Sequence, residues 1–220
     1  MRALGGPGVR FALASATLGL TTRVVRNGDV RPTEQRFFRA FNDLPGVGFP
    51  LAWLIMQCGN AAAVPVTAFA ALAGGDRRLA ARLFVTGTTT WALAKAIKRQ
   101  ARRPRPEVLL PAVRCLGGEH RGLGYVSGHA GVVVSLTATA LPRFGPGARA
   151  GVLVLAPAAA LARLYVGAHL PLDIAGGAAL GLGVEALVSW VGNFTEAVTV
   201  QLTSSRRPSG SDGARRRGRS

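Results

Sequence analysis

The feature that most constrains this chain is an uncharged run of 32 residues, at positions 44–75. About 20 consecutive apolar residues suffice for a helix to cross the hydrocarbon core of a bilayer. Weakly charged segments follow at residues 79–97, 126–141, 150–168 and 172–194, separated by short basic or Pro/Gly-rich breaks. Because a bilayer forces each spanning segment to satisfy its own backbone, this pattern predicts an all-α fold, a polytopic membrane helical bundle.

The number of spans depends on the N-terminal segment. Residues 11–22 are uncharged but number only 12, and Arg10 and Arg23 flank them. Such a segment, within residues 9–25, fits a span whose arginines snorkel, an interfacial helix or a signal peptide. We expect about six transmembrane helices, with five as the alternative.

Three regions follow from the charge pattern. Residues 1–43 are expected to hold the N-terminal span or interfacial helix and a polar surface helix. Residues 44–195 are predicted to form the membrane-embedded core, and residues 196–220 are predicted to be a basic disordered tail. The surface helix is predicted because Phe37, Phe38 and Phe41 recur beside arginines, a pattern of a helix lying on the membrane or of an ordinary extramembrane helix.

Three polar clusters punctuate the apolar segments, and the first is the basic run at residues 98–106. It contains Lys98 and Arg105 among alternating prolines. Arginine donates bidentate, charge-assisted hydrogen bonds to phosphate oxygens, and proline keeps the backbone extended. The run fits either a headgroup anchor or a phosphate site.

The second cluster, Ser127, Gly128 and His129, opens segment 126–141. Serine is a favoured helix N-cap, and glycine lets a backbone N–H approach a ligand closely. The free N–H groups of a helix N-terminus favour an anion, beside which His129 is placed in the first turn. Taken alone, the triplet is equally a polar cap.

The third cluster contains Arg163, His169 and Asp173. Asp173 follows His169 by four residues, so the two side chains share a face if that turn is helical. A carboxylate on one imidazole nitrogen fixes the tautomer and leaves the other nitrogen free as a nucleophile. The pair alone also fits a brace at a helix junction.

Alternating spans place all three clusters on one membrane face, so they are predicted to converge on one site. Their order and spacing resemble the three-part signature of the type-2 phosphatidic acid phosphatase superfamily, over roughly residues 40–195. The matching motifs are Lys98-x6-Arg105-Pro106, Ser127-Gly128-His129 and Arg163-x5-His169-x3-Asp173. Two positions depart from the family pattern: Val126 replaces a proline and Ala162 replaces a serine.

This resemblance implies an integral-membrane phosphatase that hydrolyses a lipid monophosphate or diphosphate, phosphatidate-like or polyprenyl diphosphate-like, without metal or cofactor. His169 is implied to form a phosphohistidine, Asp173 to orient it and His129 to protonate the leaving oxygen. The phosphate is implied to bind the side chains of Lys98, Arg105, Arg163 and Ser127 and the N–H of Gly128.

Orientation follows from loop charge only if the basic residues of the loop at 98–125 serve the substrate instead of setting topology. On that condition both termini lie in the cytoplasm and the catalytic face is extracytoplasmic, in what we expect to be a bacterial cell membrane.

Other function classes share these features. The same pocket suits a lipid phosphotransferase or a vanadate-dependent haloperoxidase, although the apolar spans argue against the haloperoxidase, whose relatives are soluble. A non-catalytic basic membrane protein that binds anionic lipid is the third class, and no nucleic-acid partner is expected. Glu185, inside the last segment, fits either buried structure or a lateral contact, and the oligomeric state is not encoded in any of these patterns.

Overall fold

The computed structural model describes residues 6–204, with side chains through residue 195, and within this range it is helical without strands. The predicted all-α class is confirmed. Most of the predicted basic tail lies outside the described residues. The helices are α1 (Pro7–Arg26), α2 (Pro32–Asn42), α3 (Phe49–Met56), α4 (Ala63–Ala73), α5 (Arg77–Ala101), α6 (Pro106–Leu109), α7 (Gly128–Ala140), α8 (Pro146–Tyr165) and α9 (Pro171–Ser204).

Few of the described helices are both long and apolar enough to cross a membrane. α8 and the Pro171–Thr195 part of α9 meet both conditions, and the bent pair of α3 and α4 adds a third span if it is counted as one. The predicted number of six is therefore not confirmed. The helices α1 and α5 have 20 and 25 residues but carry several arginines, and α7 has only 13 residues.

The uncharged run at residues 44–75 is not one straight helix. A short 3-10 turn, Gln57–Gly59, divides it, and the two parts are bent by 68°. Gly59 lies directly against α7, because a Cβ at this position would approach the carbonyl oxygen of His129 to 2.5 Å. The bend therefore brings the middle of the uncharged run to the N-terminus of α7.

The centre of the fold is a close contact between α7 and α9. Gly131 of α7 faces the backbone of Gly177, and Gly177 and Gly181 of α9 face the carbonyl oxygens of Ser127 and Gly131. Glycine allows this approach of two helix backbones, as in many membrane helix pairs. The N–H of Ser127 donates a 2.8 Å hydrogen bond to the carbonyl oxygen of Asp173, so the two helix N-termini are joined.

The remaining helices surround this pair. α1 packs along α9, and α5 packs against α7. α5 and α8 end where α7 and α9 begin, as the alternation of segments predicts. At the opposite end, Arg143 and Asp76 form an ion pair at 3.2 Å, which joins two turns that were expected to share one side.

Glu185 is a buried structural residue of α9. Its carboxylate pairs with Arg10 of α1 at 2.6 Å and accepts a 2.6 Å hydrogen bond from Ser189. Arg82 of α5 donates to the hydroxyl of Ser189 at 2.6 Å. This cluster holds α1 and α5 against α9, away from the three sequence motifs.

The contact between α7 and α9 generates the first prediction. Gly177→Ala places a methyl group against the carbonyl oxygen of Ser127, closer than any normal contact. We expect the free energy of unfolding to fall by about 1–3 kcal/mol, because an overpacked site must shift backbone. Thermal unfolding in detergent measures this, with Gly192→Ala in the same helix as control.

A Cβ at Gly192 meets nothing within 4 Å. The control is therefore expected to keep or slightly raise the unfolding temperature, since alanine favours helix over glycine. Equal unfolding temperatures for the two variants would contradict the backbone contact.

Candidate active site

His169 and Asp173 lie together at the start of α9. His169 precedes the helix, Pro171 is its first residue, and Asp173 follows in the first turn. The Oδ2 atom of Asp173 accepts a 2.9 Å hydrogen bond from the N–H of Leu170 and lies 3.5 Å from Nδ1 of His169. At that distance the Nδ1 atom, which is buried, has no hydrogen-bond partner among the described residues. The other nitrogen, Nε2, lies on the opposite side of the ring.

The Ser127-Gly128-His129 motif forms the N-terminus of α7. Ser127 is the N-cap, and its buried hydroxyl oxygen accepts a 3.3 Å hydrogen bond from the N–H of Ala130. The proton of that hydroxyl is free to be donated elsewhere, because serine both donates and accepts. Gly128 and His129 occupy the first turn and are partly exposed, next to the Gln57–Gly59 turn.

The three predicted phosphate-binding cations have no ion-pair partner among the described carboxylates. Lys98 donates to the carbonyl oxygens of Leu123 and Gly124 at 2.8 and 2.9 Å. Arg105 donates to carbonyl oxygens of neighbouring loops, and Arg163 contacts the sulfur of Met56 at 3.4 Å with its Nε unpartnered. Their positive charge is therefore available to an anion.

The same cations act electrostatically on the predicted nucleophile. Burial, together with the charges of Lys98, Arg163 and Arg105, lowers the pKa of His169 well below its ordinary value. The imidazole is therefore neutral near pH 7, the form in which a ring nitrogen can attack phosphorus. The structure thus brings the residues of all three motifs within electrostatic reach of one another.

Two residues that the sequence interpretation did not select also belong to this cluster. Arg103 lies two positions before Arg105, and its buried guanidinium binds Oδ1 of Asp173 at 2.8 Å. It also binds both carboxylate oxygens of Glu34 in α2. The spacing of Glu34 with Phe38 and Asn42, which puts a carboxylate on the buried face of α2, was the available signal.

Neighbouring residues have supporting contacts. His120, in the loop between α6 and α7, places its Nε2 atom 3.0 Å from the carbonyl oxygen of Val166. Tyr125 is fully buried, and its hydroxyl lies 2.8 Å from the hydroxyls of both Thr21 and Thr22, which ties α1 to the site.

The two residues that depart from the family pattern, Val126 and Ala162, are both buried in apolar clusters. Val126 packs with Tyr125 and α9, and Ala162 packs beside Met56 and Tyr165. No described group of three His, Cys, Asp and Glu side chains is arranged to hold a metal ion.

An apolar cleft of about 920 Å³ begins beside the site, between the α3–α4 pair and the α7–α8 pair. Cys58 and Val133 line its near end, where Val133 is one helical turn beyond His129. Ala140 and Phe144 line its far end. At 1.5 Å per residue, α7 extends roughly 10 Å from Val133 to Ala140. The cleft is therefore long enough for part of a hydrocarbon chain.

The model of the PAP2 superfamily matches residues 79–196, a range that contains every predicted site residue. The chain belongs to the PAP2 superfamily. This confirms the family that the three motifs predicted, and with it the predicted enzyme class, a hydrolase of lipid phosphate esters.

A curated relative supports the assignment. The chain is 35% identical over 145 residues to the decaprenylphosphoryl-5-phosphoribose phosphatase of Mycobacterium tuberculosis, in both strain H37Rv and strain CDC 1551. The match covers 64% of this chain and 72% of the relative.

Two solved structures share the fold. Aquifex aeolicus LpxE has a TM-score of 0.68 at 17% identity, over 73% of this chain and 97% of that structure. The PAP2 type phosphatidylglycerolphosphate phosphatase of Bacillus subtilis has a TM-score of 0.58 at 20% identity, over 83% of this chain and 96% of that one. At these identities the likeness concerns the fold.

Proposed function

We propose that this protein hydrolyses a phosphate ester carried by a membrane lipid, through a covalent phosphohistidine. The observation that carries the proposal is the set of three cations around the His169–Asp173 pair, which have no partner among the described carboxylates. Phosphoryl transfer needs chiefly positioning and charge stabilisation, which Lys98, Arg105 and Arg163 supply. The hydroxyl of Ser127 and the N–H of Gly128 add two donors.

The lipid character of the substrate is supported by the apolar cleft. Its near end lies one helical turn from His129, so a lipid whose hydrocarbon chain occupies the cleft has its head group toward the end of α7 that carries His129. The name of the mycobacterial relative points to a polyprenyl-linked phosphate monoester as one candidate. Phosphatidate-like and polyprenyl diphosphate-like lipids are the other members of the proposed substrate class.

In the first step, Nε2 of His169 forms a bond to phosphorus, and the bond from phosphorus to the lipid oxygen breaks. His129 gives its proton to that oxygen, which leaves as an alcohol. The bound phosphate offsets the charge of the three cations, and this favours the protonated His129 that the step requires. Asp173 stabilises the positive imidazole ring.

In the second step, neutral His129 takes a proton from water. The water oxygen forms a bond to phosphorus, the P–N bond breaks, and inorganic phosphate leaves. Both histidines then return to their starting protonation states, and the net reaction consumes one water molecule.

We also propose that the chain crosses a bacterial cell membrane six times, with the catalytic end on the extracytoplasmic side. The Asp76–Arg143 ion pair supports one shared side for the two basic turns at residues 76–82 and 142–149. Positive charge on short loops favours the cytoplasmic side.

The two histidines have different proposed roles, which leads to a prediction about leaving groups. His169→Ala should lower kcat by on the order of 10⁴-fold or more on every substrate and leave no phosphoenzyme. His129→Ala should cost roughly 10²–10⁴-fold on a lipid alcohol ester and much less on nitrophenyl phosphate, whose leaving group needs no proton.

Steady-state rates on both substrates, with acid-labile phosphate trapped on the protein, measure the difference. Phosphoenzyme formation by His169→Ala, or an equal loss for His129→Ala on both substrates, would show that the roles are wrong.

The cleft predicts a chain-specific defect. Thr137→Trp fills the cleft and should raise KM for a long-chain lipid phosphate by about 10-fold or more, because several buried methylenes lose their contacts. The kcat on nitrophenyl phosphate should stay unchanged. Val154→Trp, on an exposed face of α8 that does not line the cleft, is the control. If both variants have the same KM for the long-chain lipid phosphate, the hydrocarbon chain of the substrate does not bind in this cleft.

The orientation predicts which side a thiol reagent reaches. Glu119→Cys, exposed in the loop at the catalytic end, should react with an impermeant maleimide on intact cells, and Arg77→Cys at the opposite end only after lysis. The native Cys115 adds little signal, because burial and the hydrogen bond to Glu107 raise its pKa to about 11. The reverse labelling pattern would invert the topology.

A further inference from the structure

A buried chain of three charges lies behind the predicted nucleophile. One guanidinium nitrogen of Arg103 binds Oδ1 of Asp173 at 2.8 Å and Oε1 of Glu34 at 3.0 Å, and the other binds Oε2 of Glu34 at 2.8 Å. All three residues are at most 6% exposed. Such a fork-shaped, charge-assisted contact fixes geometry as well as charge, which a lysine at the same position does not do.

Backbone hydrogen bonds immobilise both carboxylates. Oε1 of Glu34 accepts from the N–H of Leu172 at 3.2 Å, and Oδ2 of Asp173 accepts from the N–H of Leu170 at 2.9 Å. The plane of the Asp173 carboxylate is thus set by Arg103 on one oxygen and by the start of α9 on the other. Oδ2, which lies 3.5 Å from Nδ1 of His169, is therefore held in a single orientation.

Arg103 differs from the phosphate-binding cations in its partners. Lys98, Arg105 and Arg163 bind carbonyl oxygens or sulfur. In contrast, both terminal guanidinium nitrogens of Arg103 bind carboxylates. The carboxylates of Glu34 and Asp173 outweigh burial and raise the pKa of Arg103. Its charge is therefore used within the protein and is not presented to a ligand.

The net charge of this buried cluster also suits the proposed reaction. Glu34, Arg103 and Asp173 together carry one negative charge, which lies next to His169. When His169 attacks phosphorus, its ring becomes positive, and the four groups become neutral together. A fixed opposite charge beside a developing charge is the arrangement that stabilises a transition state.

We propose that Glu34 and Arg103 are positioning residues for the reaction, which hold Asp173 so that it fixes the tautomer and orientation of His169. The proposal rests on the proposed function of His169 as nucleophile. Glu34 lies in α2, outside residues 79–196 that match the superfamily model. The surface helix α2 thereby becomes part of the catalytic unit.

A double-variant cycle tests whether Arg103 acts through Asp173. Arg103→Gln should lower kcat by roughly 10–100-fold with little change in KM, the usual cost of removing the partner of an orienting group. Arg103→Gln combined with Asp173→Asn should be no slower than Asp173→Asn alone, because the interaction is already lost. Likewise, Glu34→Gln should lower kcat less than Arg103→Gln does. The double variant with both changes should be no slower than Arg103→Gln alone.

Matched controls separate position from charge. Arg36→Gln and Asp29→Asn make the same charge changes at exposed positions in α2 and just before it, and both should keep kcat. Glu34→Gln keeps the shape and an acceptor of the side chain, so it serves where Arg103→Gln fails to fold. Arg103→Lys keeps the charge without the fork and should give an intermediate kcat.

A second readout does not depend on turnover. The full-length protein labelled with ¹⁵N-histidine, in detergent, has three histidine side chains, each with two ring-nitrogen signals, and the pair lost in His169→Ala belongs to His169. We expect a single neutral tautomer protonated at Nδ1 in the wild type, and a mixture in Arg103→Gln and Glu34→Gln. This result stands even if the wild type releases no phosphate, an outcome that would defeat the proposed function alone.

Two results would overturn the positioning role. One is a multiplicative loss when Arg103→Gln is combined with Asp173→Asn, accompanied by weaker inhibition by vanadate, which would make Arg103 a phosphate ligand. The other is an unchanged His169 tautomer in both Arg103→Gln and Glu34→Gln.

Discussion

The site depends on the backbone contact between α7 and α9. Because Gly131, Gly177 and Gly181 carry no side chains, the two helices meet closely enough for the N–H of Ser127 to bond the carbonyl oxygen of Asp173. That bond joins the helix end that carries His129 to the helix end that follows His169. A wider separation of α7 and α9 would move the predicted general acid away from the predicted nucleophile, whatever the cations did.

The charges around this contact are divided into two groups. Glu34, Arg103 and Asp173 satisfy one another, as buried charges must if the fold is to tolerate them. Lys98, Arg105 and Arg163 repel one another and have no ion-pair partner among the described carboxylates, so the proposed phosphate would offset much of that repulsion. If phosphate binds these cations as proposed, the protein should be more stable with phosphate bound than without it.

Much of the site could be predicted from the sequence, because its motifs are local. The i,i+4 spacing predicted that the side chains of His169 and Asp173 share a face, and the sequence also predicted that Ser127 caps α7; the structure has both features. Glu34 and Arg103 were missed because their pairing joins positions 69 residues apart, and no local period specifies such a partner. The bend in residues 44–75 was missed for a related reason, since uncharged residues do not reveal where a helix breaks. The count of six spans stays a prediction, because α1 and α5 are long enough to span but carry several arginines.

The three motifs are proposed to form one metal-independent site for lipid phosphate esters. The most direct test is release of inorganic phosphate by the purified protein, in EDTA, from phosphatidate, a polyprenyl diphosphate and a polyprenyl-linked sugar phosphate, with His169→Ala as the blank. The account predicts release from at least one of these lipids by the wild type and none above background by the variant. No release from any of them, or activity that EDTA abolishes and magnesium restores, would contradict it.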